Sequence, residues 1–198
     1  MPPKPPATHN FMSTKIDILH PVFIKWFKST FPQCKNVVVI DDENTLFATV
    51  NGRRVCYKHL INDVLVGLKR LKPKVVTVMY SNRMIEDMNI DRQLFPDVFS
   101  QFDLIISADN FTQPLLKSFC EQRALKGQPF LLQLRRVSKP VSEIFDDLPV
   151  VLIDDEVGSD WLAVKEGLHG IKTYTYKQDK PENSKLMLKK LVRQITSQ

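Results

Sequence analysis

Twice in this chain an apolar run drives straight into acids. VVVIDDENTLF (37–47) carries Val37, Val38, Val39 and Ile40 into Asp41, Asp42 and Glu43, and VVLIDDE (150–156) carries its own run into Asp154 and Asp155. Between them VVTVMYSN ends in Ser81 and Asn82, and Lys139-Pro140 stands just ahead of the second acidic cluster. Short apolar runs rich in β-branched residues read as buried strands. In open parallel sheets, ligands bind beyond the carboxyl ends of such strands. Carboxylates brought together in one crevice repel each other and are costly to desolvate. A divalent cation resolves that conflict, and hard oxygen ligands that leave room for water or phosphate suit Mg²⁺. Either cluster alone reads as a solvated loop or a helix cap. Both in one chain, with Ser81 and Lys139 between them, point to one site.

The elements that must position these residues alternate. After a Pro-rich arm, residues 1–14, read as disordered, IDILHPVFIKWFKSTF (16–31) has helix-like patterning interrupted by Pro21. The 37–40 strand is followed by two β-prone runs joined at Asn51-Gly52, a hairpin signal. Leu60, Ile61, Val64, Leu65, Leu68 and Leu71 then share one helical face up to Pro73. Strands are expected at 75–80, 102–110, 129–137, 149–156 and 170–176, with helices over 112–125, 159–168 and the basic tail 183–196. Strands alternating with helices predict an α/β fold, an open parallel sheet flanked by helices. The hairpin forms a small flap on it. Residues 15–198 are read as a single domain with its core at about 35–176.

Composition bounds the function classes. At 198 residues the chain supports one domain with a proper core, and no apolar run approaches a membrane span of roughly 20 residues. Cys34, Cys56 and Cys120 are odd in number and widely spaced, which disfavours a disulfide framework or a zinc site and fits a reducing, intracellular compartment. The net charge of +6 reads first as a solubilising surface and also permits a phosphorylated or acidic partner.

The ordered set of motifs resembles the haloacid dehalogenase-like phosphohydrolase superfamily. The matching residues are Asp41-Asp42-Glu43-Asn44-Thr45, then Ser81-Asn82, then Lys139 in SKPVSEIF, then Asp154, Asp155 and Asp160 in VVLIDDEVGSD. The resemblance implies a Rossmann-like fold and a Mg²⁺-dependent phosphatase acting through an aspartyl-phosphate. It makes Asp41 the nucleophile and Glu43 the general acid and base. It assigns Ser81 and Lys139 to the phosphoryl oxygens. The metal would be held by Asp41, Asp155, Asp154 and the backbone carbonyl of Glu43, with Thr45, Asn82 and Asp160 in support. The family's second acid is Asp, and Glu43 is one methylene longer, still able to transfer protons but reaching a different point.

Only 35 residues separate Thr45 from Ser81, and the hairpin and one helix consume them, so no large cap is expected. A capless, open site suits macromolecular substrates. Within the superfamily the chain is similar to the FCP/SCP-type (NLI-interacting-factor-like) phosphatases, which act on phosphoserine in the RNA polymerase II tail and related proteins. That resemblance implies a phosphorylated protein as substrate and admits a divergent viral member. Two other classes stand beside it. One is a nucleic-acid end phosphatase, with GRRV (52–55), LKRLKPK (68–74) and LRRV (134–137) as candidate contacts. The other is a catalytically weak scaffold that keeps the fold and binds protein partners.

Overall fold

The computed structural model describes residues 21–110, 141–155, 172–175 and 179–196. A five-stranded, wholly parallel sheet runs in the order β5-β4-β1-β6-β7, from β1 (Asn36–Asp41), β4 (Val75–Tyr80), β5 (Leu104–Ile106), β6 (Val150–Asp154) and β7 (Lys172–Thr175). A separate antiparallel hairpin joins β2 (Phe47–Val50) to β3 (Arg53–Cys56). The expected α/β class, parallel sheet and hairpin flap are all present.

Every residue of β1 and β4 is buried, which is why both are apolar without alternation. Val37 and Val39 pack on one face with Phe23 and Phe27 of α1 (Pro21–Thr30) and Ile144 and Phe145 of α5 (Val141–Phe145). Val38 and Ile40 pack on the other, against α2, which runs as π-type turns over Leu60–Leu65 and as α-helix over Val66–Lys69. That face is completed by α3 (Ile85–Leu94), α4 (Pro96–Phe99) and α6 (Pro181–Thr196). Pro21, expected to interrupt a helix over 16–31, is the first residue of the described helix, and residues 16–20 lie outside the described residues. Asn51 and Gly52 take φ of 49° and 71°, the left-handed pair that a tight hairpin needs.

Helix α6 lies parallel to α2. The Asp179 carboxylate accepts from the His59 and Leu60 amides at 3.1 and 3.0 Å, Ser184 donates to Asp63, and a Cβ at Gly67 would meet both Leu188 methyls at 2.7 Å. Asp179 therefore satisfies two of the orphan amides at the start of α2 from a distant part of the chain. Asp179→Ala should lower stability by about 1 kcal/mol, read from the midpoint of urea denaturation.

The Pro-rich arm (1–14), the helices expected at 112–125 and 159–168, the strand at 129–137 and the LRRV segment lie outside the described residues. Among the described residues, no helix is long and apolar enough to cross a membrane.

Candidate functional site

Strand register dictates the site. Asp41 pairs with Tyr80 and Ile40 with Ile153, so the chain leaves β1, β4 and β6 at one edge, at Asp41, Ser81 and Asp154. From β1 the chain builds outward through β4 and β5, then crosses to β6 and β7 on the other side. The β1/β6 junction is the switch point where α/β sheets open a crevice.

One carboxylate oxygen each from Asp41, Asp154 and Asp155 lies within 4.8 Å of the others. Asp41 and Asp154 are buried and Asp155 is half-buried. Asp41 shares the β1 face of Val37 and Val39, and Asp154 the β6 face of Val150 and Leu152, so alternation points both carboxylates to the same side of the sheet. Thr45 ties the two acidic segments together. Its hydroxyl oxygen accepts from the Asp155 amide at 3.0 Å and lies 3.5 Å from Asp155 Oδ1. The loop that brings Thr45 there turns at Asn44, whose φ of 57° suits Asn better than most residues. The Leu46 and Phe47 amides close the turn on the Asp42 carbonyl at 3.0 and 2.8 Å. Three hard oxygen donors in one buried spot fit a small divalent cation.

Glu43 goes elsewhere. Its carboxylate takes both arms of the Arg54 guanidinium, with Nη1–Oε1 at 2.8 Å and Nη2–Oε2 at 2.7 Å. Arg54 makes a second two-point contact with Asp91 of α3, at 2.8 and 2.7 Å. Arg83, two residues past Ser81, reaches Asp91 at 2.7 Å, Asp42 at 3.2 Å and Glu43 at 3.3 Å. Asp42 is buried in this network, and its Oδ1 also accepts from the Glu43 amide. Two guanidiniums and three carboxylates thus join the first acidic loop, the hairpin and α3. Burial alone would pull the Arg54 and Arg83 pKa values down, but the hydrogen bonds to Asp91 and the surrounding acids outweigh it and hold both above the ordinary value. Asp91 mirrors this: burial would raise its pKa, and hydrogen bonds from Arg54 and Arg83 hold it below the usual 3.8.

Ser81 is fully buried, and its Oγ accepts from the Arg83 amide at 3.0 Å, capping the turn after β4 while keeping its hydroxyl hydrogen to donate. Asn82 sits half-buried beside it. Asp109 accepts from the Ile85 amide at 2.6 Å and the Ala108 amide donates to the Arg83 carbonyl at 2.9 Å, so the end of β5 fixes the Arg83 loop. Tyr57, following the hairpin, has its phenol pKa raised by burial and by the carboxylates of Asp179, Asp155 and Glu43, which keeps it protonated near the cluster. Burial pushes the Cys34 thiol up to about 11 and raises that of Cys56, so neither is a thiolate nucleophile at neutral pH.

Of the residues read from sequence, the fold brings together Asp41, Asp154, Asp155 and Thr45, and places Ser81 at the neighbouring strand end. It does not bring the Glu43 carboxylate into the cluster. Lys139 and Asp160 lie outside the described residues. Two candidate nucleic-acid contacts change meaning. Arg54 of GRRV is committed to Glu43 and Asp91. LKRLKPK precedes β4 and so lies at the amino end of the sheet, about 20 Å of strand away from the carboxylates. Sequence reading missed Arg54, Arg83 and Asp91 as members of the site.

Fold and site together define a parallel α/β domain with a carboxylate cluster at its switch point. No protein-family model, curated protein or solved structure matches this chain.

Proposed function

We propose that this chain is a Mg²⁺-dependent phosphatase that works through an aspartyl-phosphate, with phosphoserine or phosphothreonine of a protein as substrate. The observation that carries the reading is the convergence of Asp41, Asp154 and Asp155 within 4.8 Å at the carboxyl edge of the sheet. One buried carboxylate is a cap; three at a switch point make a place for a cation and an anionic ligand beside a nucleophile.

In this reading an Asp41 oxygen attacks phosphorus, the bond to the substrate oxygen breaks, and water then cleaves the acyl phosphate to return the carboxylate and inorganic phosphate. Asp41, Asp154 and Asp155 would hold Mg²⁺, with the Glu43 carbonyl beside them. When bound, the cation supplies the positive charge that lets an anionic nucleophile approach an anionic phosphoryl group. Thr45 holds Asp155 in register. Ser81 offers its hydroxyl hydrogen to a phosphoryl oxygen, and Lys139 would offer a second charge there. An intracellular, reducing setting accords with the free thiols of Cys34 and Cys56.

The pairing of both Glu43 oxygens with Arg54 favours a second reading, a scaffold that keeps the metal centre but turns over slowly. Hydrolysis of p-nitrophenyl phosphate, with Mg²⁺ and with a chelator, separates the two. Metal-dependent release of nitrophenol is expected. Magnesium binding without release would sink the enzyme reading in favour of the scaffold.

A further inference from the structure

We infer that the paired helices α2 and α6 form a binding surface for the phosphodiester backbone of a nucleic acid. The surface is separate from the carboxylate cluster and does not rest on the phosphatase reading. Lys185, Lys189 and Arg193 are exposed at i, i+4 and i+8 of α6, a straight row of about 12 Å. Lys190 is exposed beside them. Because Asp179 meets the start of α2, Ser184 meets Asp63 and Leu188 meets Gly67, the two helices run side by side in the same direction. That alignment brings exposed Lys69 and Arg70, just past Gly67, to the level of Lys189 and Lys190. None of these six side chains makes an ion pair among the described residues, whereas Arg54 and Arg83 are consumed by carboxylates. The acid within α6 is Glu182, in its first turn.

The occupant follows from the shape of the charge. Cations about 6 Å apart along one helix face complement the regularly repeated charge of a polyanion strand better than a single anionic group. An anionic bilayer fits less well. Met187, Leu191 and Ile195 of α6 are buried against the core, and the apolar residues left exposed on the two helices are Leu186 and Val66, too few to anchor in a bilayer.

Fluorescence anisotropy with a labelled single-stranded 20-nucleotide DNA tests the surface on the intact chain. Binding should weaken steeply between 50 and 200 mM salt, with a log–log slope of about −4 for six contacts. Lys189→Gln with Arg193→Gln should flatten the slope by about 1.4 and weaken binding about tenfold. Both positions are exposed, so the fold should survive, as circular dichroism would confirm. The control is Lys25→Gln with Arg53→Gln, an equal loss of charge on exposed residues of α1 and the hairpin, which should change binding less than about twofold. Equal losses in the two double variants would reduce the effect to net charge and overturn the proposal. So would absence of binding at 50 mM salt, or tighter binding to phosphatidylserine vesicles or to polyglutamate than to the oligonucleotide.

Discussion

Asp41→Asn should lower metal-dependent hydrolysis of p-nitrophenyl phosphate at least about a thousandfold, with the folded state intact. The amide matches the carboxylate in shape and is not a nucleophile toward phosphorus. Neighbouring acids cannot substitute. Asp42 is buried against Arg83, Glu43 is paired with Arg54, and Asp154 and Asp155 leave from a different strand. Thermal unfolding should show no loss, because the substitution removes one of three crowded negative charges. Retained turnover would move the chemistry away from Asp41 and with it the reading of the whole edge.

Asp91→Ala should cost about 3 kcal/mol, a fall in Tm on the order of 6–12 °C for a chain of this size. The Asp91 side chain is 2% exposed and receives both Arg54 and Arg83. Removing it leaves two partly buried guanidiniums facing each other with less than their complement of acids. The effect carries a pH signature. The folded-state pKa of Asp91 is depressed, so its contribution is present above the unfolded value near 3.8 and is lost as pH falls through the lower folded value. The stability gap between wild type and variant should therefore be constant at neutral pH and narrow only below about pH 4. A gap unchanged at pH 3 would show that packing, and not the ion pairs, carries the effect.

The sheet was legible because its strands announce themselves. VVVI and VVTVMY are apolar on both faces, a pattern that only a covered parallel sheet makes economical. The helix face of Leu60, Ile61, Val64, Leu65 and Leu68 was legible for the same reason, although the periodicity gave no hint that its first turns are wide. The acid pair Asp154-Asp155 and the Asp41 run could be joined because strand ends in such folds share an edge. Asp91 could not be read. Helix α3, IEDMNIDRQL, lacks an apolar stripe to mark its inner side, and the partner that lets a charge be buried there, Arg54, lies 37 residues back. The destination of Glu43 was hidden likewise. An acid beside a nucleophile invites a role in proton transfer, and nothing in VVVIDDENTLF says that a hairpin arginine takes both its oxygens.

The Thr45–Asp155 contact spans 110 residues of chain, while the charge network of Asp42, Glu43, Arg54, Arg83 and Asp91 closes within the first half of it. These parts of the edge therefore differ in the length of chain that must be closed to form them. Contacts between near neighbours in sequence form ahead of distant ones, because less chain entropy opposes them. An amino-terminal portion ending after α4 holds Asp41, Ser81 and the whole arginine network, and still lacks β6. The Asp41, Asp154 and Asp155 cluster does not exist in it. The bracing thus needs only the first half of the chain, whereas the three carboxylates gather only where β6 lies beside β1, so their proximity reports that the sheet is complete.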